Sequence, residues 1–120
     1  MRYVVLVAHR PGEWAGATPE VRQSYSEAHH AFEGFVDARG RRVSGAPLAG
    51  ADTATTLGPG AGAARIVTDG PLAELTEQVG GYYDVELPDL DTAIAAARLL
   101  PAAYTVEIRP VVRVPDHELA

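Results

Sequence analysis

Four histidines and sixteen carboxylates are the groups in this chain that could move a proton near neutral pH, because it contains no cysteine. The same absence removes disulfides, thiolate metal sites and thiol nucleophiles. Among the histidines, His29 stands out. It follows Tyr25 by four residues and precedes Phe32 by three and Val36 by seven. At about 100° per residue this sets it at the edge of an apolar helical stripe, while His30 turns to solvent. A half-buried imidazole there acts either as a general acid/base or as a satisfied structural group, and both readings stand. Asp69, directly before Gly70-Pro71, is likewise either an acid at a site or a turn former whose carboxylate binds backbone amides. His9, Arg10 and Trp14 gather around the end of the first apolar run, where they rim a pocket or where Trp14 closes a packing lid. No metal is expected. Apart from the adjacent His29-His30 pair, whose side chains diverge on a helix, the histidines have no ligand spacing. No glycine motif opens a helix after a strand in dinucleotide-binding spacing.

The elements that must hold these groups follow from periodicity. Arg2–His9 is Val-rich and apolar on both parities, which predicts a central strand buried on both faces. Thr18, Pro19 and Glu20 supply an N-cap hydroxyl, an N1 proline and an early acid. The helix predicted from them runs to about Arg39 and ends at Gly40, with a stripe of Val21, Tyr25, Ala28, Phe32 and Val36 and with Phe35 beside it. Arg42–Leu48 reads as a second strand. Ala51–Leu57 and Ala64–Thr68 read as hairpin arms around Gly58–Gly62, an insertion on the basic fold. A turn and a short irregular or helical segment are expected over Asp69–Gly81. The strand Tyr82–Leu87 then puts Tyr83, Val85 and Leu87 on one face and Tyr82, Asp84 and Glu86 on the other. A second helix begins near Asp89, carries Leu90, Ala93, Ile94 and Ala97 at helical spacing, and stops before Pro101. The last strand, Tyr104 to about Val112, directs Val106 and Ile108 one way and Glu107 and Arg109 the other, and Pro115–Ala120 reads as a loose tail. The order β-α-β, hairpin, β-α-β is that of a ferredoxin-like α+β domain with an antiparallel sheet. Its two helices cover one sheet face and leave the other in need of a partner.

The segment Asp69-Gly70-Pro71-Leu72-Ala73-Glu74, continued by Glu77 and by Gly80-Gly81-Tyr82-Tyr83, resembles the signature of the YCII-related, or DGPF-domain, proteins. Leu72, Leu75, Thr76 and Val79 stand where that family usually has Phe, Thr, Lys and Leu. Ala28-His29-His30-Ala31-Phe32 is similar to the family's Ala-His-x-x-Phe helix segment, and Glu107-Ile108-Arg109-Pro110 to its terminal Glu-Val-Arg-Pro. The resemblance implies that two sheets pair face to face as a dimeric α+β barrel whose interior is a ligand cavity. It also implies an active site in which His29 pairs with an acid, Asp69 being the acid within the signature. Inside such a barrel Tyr82, Glu107 and Arg109, with Trp14 at the rim, would bind a carboxylate or phenolate. The plain alternative for Glu107 and Arg109 is a cross-strand ion pair.

Composition bounds the rest. With 120 residues, 47% hydrophobic and 22% charged, the chain supports one domain over residues 1–120. A net charge of −6, with ten scattered arginines against sixteen acids, argues against a nucleic-acid partner. The apolar run Tyr3–Ala8 is too short to span a membrane and lacks a signal cleavage site, so a cytoplasmic protein is expected. Two functions remain. One is an enzyme without redox cofactor or metal, doing lyase- or isomerase-type acid–base chemistry on a small organic molecule through His29 and Asp69. The other is a non-catalytic ligand-binding or regulatory accessory protein, which the family's association with extracytoplasmic-function sigma factors implies.

Overall fold

A computed structural model describes residues 1–114, and the expected tail with His117 lies outside them. The strands are β1 (Arg2–His9), β2 (Arg41–Pro47), β3 (Thr55–Leu57), β4 (Val67–Asp69), β5 (Gln78–Glu86) and β6 (Thr105–Pro110). The helices are α1 (Pro19–Arg39) and α2 (Leu90–Ala97). Four strands form one antiparallel sheet in the order β2-β5-β1-β6, and β3 pairs with β4 as a separate hairpin. This is the ferredoxin-like α+β arrangement, with β1 central as its Val-rich sequence requires. The sheet of one chain does not close into a barrel.

Local chemistry sets the ends of the helices. Thr18 Oγ1 accepts the Val21 N–H at 3.2 Å ahead of Pro19, and Asp89 Oδ1 accepts the Thr92 N–H at 2.8 Å, satisfying first-turn donors that have no helical partner. At the end of α1, the Gly40 N–H donates to the Val36 carbonyl at 2.8 Å. A Cβ at position 40 would collide with the Glu86 carbonyl, so only glycine lets α1 turn into β2 so close to β5.

The core lies between one sheet face and both helices: Tyr3, Val5 and Val7 of β1, Val85 and Leu87, Phe32 and Val36 of α1, and Ala93, Ala96 and Leu100. Two expectations shift here. The buried residues of α2 are Ala93 and Ala96, with Leu100 just beyond its end, and the small side chains let the helix approach the core. Leu90, rotated away in the first turn, is 49% exposed. Val21, in the first turn of α1, is also exposed.

The hairpin arms are three residues each, because short 3₁₀ turns at Ala51–Thr53 and Gly62–Ala64 take up the rest of the expected strands. Strand β5 starts at Gln78, four residues before its expected start. Gly80 and Gly81 therefore lie inside the sheet, where the register slips between Val7 and Ala8. Such a slip is a β-bulge, and glycine in a strand marks close approach by another group. On the helix-free face Leu6 sits in register between Tyr82 and Glu107, and Val4 between Asp84 and Arg109. The buried Asp84 takes a bidentate pair from Arg2 at 2.8 and 2.6 Å. Glu107 and Arg109 are exposed and face each other along β6 at 3.4 Å. They form a pair within one strand, where the sequence suggested a cross-strand pair.

Candidate active site

α1 turns His29 toward the sheet, where Tyr83 of β5 and Tyr104, just ahead of β6, meet it with two phenols. Nδ1 of His29 is 2.7 Å from the Tyr83 hydroxyl, and Nε2 is 3.0 Å from the Tyr104 hydroxyl. Tyr83 in turn donates to Glu33 Oε2 at 2.9 Å. An ionised carboxylate only accepts, so the direction of the whole chain follows. Tyr104 O–H donates to Nε2, Nδ1–H donates to the Tyr83 oxygen, and Tyr83 O–H donates to Glu33. Glu33 is one helical turn beyond His29 on the same face, and Arg42 lies 3.5 Å from its other oxygen.

A carboxylate in contact would favour imidazolium, but the acid here is one phenol away. Burial lowers the His29 pKa, with His30 adding to that and the Glu33 charge opposing it. His29 is therefore a neutral imidazole with a defined tautomer. Tyr83 is pushed well above the usual phenol range by burial and by its bond to Glu33. Tyr104 is raised by burial and by the nearby Tyr25 and Glu13.

The chain of hydroxyls opens on a cavity of about 650 Å³ between α1, the loop after β1 and the ends of β2 and β5. Trp14, Tyr25 and Tyr104 form aromatic walls: Tyr25 meets Tyr104 edge-on at 5.7 Å, and Trp14 lies 6.1 Å from Tyr25. The His9 ring stacks on Tyr104 at 5.7 Å and 28°. Its Nδ1 is 3.1 Å from the Arg10 carbonyl, and a Cβ on Gly80 would collide with the ring. Gly80 of the signature thus makes room for the His9 imidazole under Tyr104. A Cβ at Gly81 would press within 3.2 Å of the Ala46 carbonyl.

Of the site residues read from the sequence, His29, Trp14 and Tyr82 line this cavity, as does His9. Arg10 is exposed and is not part of the lining. His30 is exposed but contributes to the rim. Asp69 ends β4, is exposed and does not line the cavity, and the two hydroxyls, not a carboxylate, bond to the His29 ring. Glu107 and Arg109 lie on the helix-free sheet face, away from the lining. Sequence reasoning missed Glu33, Tyr83 and Tyr104. The i,i+4 spacing of His29 and Glu33, and Tyr83 sharing a strand face with Val85 and Leu87, were the available signals.

A four-stranded antiparallel sheet with both helices on one side, and an imidazole held between two phenols, define a small ferredoxin-like α+β protein with an aromatic cavity. The YCII-related domain model matches residues 1–115, and the chain belongs to that family. Its fold is similar to that of 5-chloro-2-hydroxyhydroquinone dehydrochlorinase from Burkholderia phenoliruptrix AC1100, solved in complex with 2,5-dihydroxybenzoquinone. The identity is 22% and the TM-score 0.42, over 89% of this chain and 91% of that one. No curated protein matches the chain. Among the described residues no helix is long and apolar enough to cross a membrane, and no cluster of metal-ligating side chains occurs.

Proposed function

We propose that this protein is a homodimeric, cofactor-independent enzyme that moves a proton on a small organic molecule, in reactions of lyase or isomerase type. The observation that carries the reading is the unbroken hydrogen-bonded chain Tyr104–His29–Tyr83–Glu33 ending at the cavity. A substrate C–H or O–H proton passes to the Tyr104 oxygen as Tyr104 gives its own to Nε2. Nδ1–H passes to Tyr83, whose proton goes to Glu33. The balance is one negative charge moved from Glu33 to the substrate, with both phenols restored and His29 still neutral in its other tautomer. An imidazole with a lowered pKa suits this role, because it relays a proton without storing it. In this reading Glu33 takes the part that the family resemblance assigns to Asp69. The helix-free face carrying Leu6, Tyr82, Glu107 and Arg109 packs against a second copy.

The test is deuterium exchange from D₂O into a panel of small carbon acids, followed by proton NMR. Exchange with the wild type should fall about 10²-fold or more in Glu33→Gln and in His29→Ala, the usual share of a positioned acid/base. Exchange that survives both substitutions, or is absent in the wild type across the panel, overturns the enzyme reading. The occupation of both His29 nitrogens by tyrosines favours a second reading, a ligand-binding accessory protein. Ligand binding without exchange would select it.

A further inference from the structure

Glu13 stands in the loop after β1, its N–H donating to the Arg10 carbonyl at 3.3 Å, and its side chain lines the cavity. Glu13 Oε2 is buried with no hydrogen-bond partner among the described residues. Glu13 as a whole is half-buried and stands at the cavity, so its carboxylate lacks a donor from the protein and is placed to accept one brought from outside. Beside it stand the faces and edges of Trp14, Tyr25 and Tyr104. The lining contains two carboxylates, Glu13 and Glu33, and no arginine. Arg22 of α1 stacks 5.1 Å from the Trp14 ring centre and bonds the Trp14 and Ala15 carbonyls, outside the lining.

We propose that the cavity takes a small ligand bearing a protonated amine, which Glu13 binds directly while the walls of Trp14, Tyr25 and Tyr104 enclose the adjoining carbon skeleton. Acceptor, aromatic faces and charge all favour a cation here: ring faces attract ammonium groups, and charge-assisted bonds to carboxylate are the strong ones. An anionic ligand would be desolvated beside Glu13, while Arg42, outside the lining, is already held by Glu33 and Asp37, and Arg109 lies on the other side of the sheet next to Glu107. The carboxylate or phenolate ligand suggested by Arg109 therefore does not suit this cavity. The proposal rests on the same cavity being the working site, and it specifies what enters.

The probes are benzylamine, benzyl alcohol and benzoate, titrated by calorimetry into the full chain at pH 7.5 while the His29 ring nitrogens are followed by NMR. Benzylammonium should bind about tenfold or more tighter than the alcohol, a difference of about 1.4 kcal/mol, with benzoate weakest. Glu13→Gln should erase that advantage and leave the alcohol within about twofold. If that variant does not fold, the order of the three probes on the wild type decides. Benzoate binding as well as the amine, an amine preference that survives Glu13→Gln, or no binding by any probe overturns the proposal. An amine preference with unmoved His29 signals upholds Glu13 and counts against the relay. Probes that shift His29 without preferring the amine uphold the relay and sink this inference.

Discussion

His29 is neutral because it is half enclosed and its acid is one phenol removed, and this sets how the protein responds to pH. Its folded-state pKa lies below the ordinary value of 6.5. Between those two values the unfolded chain binds a proton that the folded one refuses, so stability rises with pH there. The contribution is fully present above about 6.5 and is lost as pH falls toward the folded value, below which it no longer changes. Denaturant midpoints measured at pH 7.5 and pH 5.5 should differ more for the wild type than for His29→Asn. Nitrogen chemical shifts should show the Nδ1–H tautomer at pH 7.5. An imidazole that titrates above 6.5 would be incompatible with the relay as drawn.

At the scale of elements, the contact to test joins the signature strand to the first one. β5 runs past β1 with Gly80 at the register slip, and the His9 ring takes the space a side chain would fill. Gly80→Ala should destabilise the protein by about 1–3 kcal/mol, the usual cost of overpacking, and displace His9 from its stack on Tyr104. If the clash is the cause, His9→Ala should relieve it. The double variant should then be more stable than the sum of the single losses by roughly 0.5–3 kcal/mol. Additive losses in thermal melts would mean that Gly80 is needed only for its backbone. The β3–β4 hairpin is tied instead at its open end, away from the connecting turn. The Gly70 N–H donates to the Ala54 carbonyl at 2.7 Å, and the Gly70 carbonyl accepts from Thr56 Oγ1 at 2.7 Å. Gly70 has φ +110°, which a side chain would strain, so glycine after Asp69 has a backbone reason independent of the acid.

At the scale of the whole molecule, the chain is a slab. Its principal extents are 46 × 43 × 18 Å and its radius of gyration is 16.4 Å, against about 14 Å for a compact chain of this length. One sheet and one helix layer account for the thin dimension, and among the described residues no helix packs on the far face, where Val4, Leu6 and Ala8 are only half-buried. An antiparallel sheet that faces water usually turns polar side chains outward, whereas β1 turns Val4, Leu6 and Ala8 there, so a second copy should cover them. Light scattering should give about twice the 12.7 kDa chain mass. Leu6→Arg, at the middle of that face, should yield a folded monomer by the same measurement and by circular dichroism. A wild type that stays monomeric at micromolar concentration would remove the dimer from the proposed function.

Local chemistry in the sequence determined the elements. The Val-rich run, the Thr18-Pro19 start, the Gly40 stop and the Asp89 cap each act over a few residues, and the corresponding elements begin or end within a residue or so of expectation. The β-α-β order then restricts how they assemble, and the half-buried position of His29 follows from helical phase alone. Partners brought together across 54 and 75 residues are another matter. Which side chains reach the His29 ring depends on the register of β5 and β6 against β1 and on the rotation of α1 above them, and no local periodicity encodes those. Leu90 shows the same limit on a smaller scale, since a helix with apolar residues around much of its surface leaves its buried face to packing. Tertiary structure alone decided that Tyr83 and Tyr104 bracket the imidazole, that Glu33 stands behind it and that Asp69 lies elsewhere, because these hydrogen bonds are set by how α1 packs over the sheet.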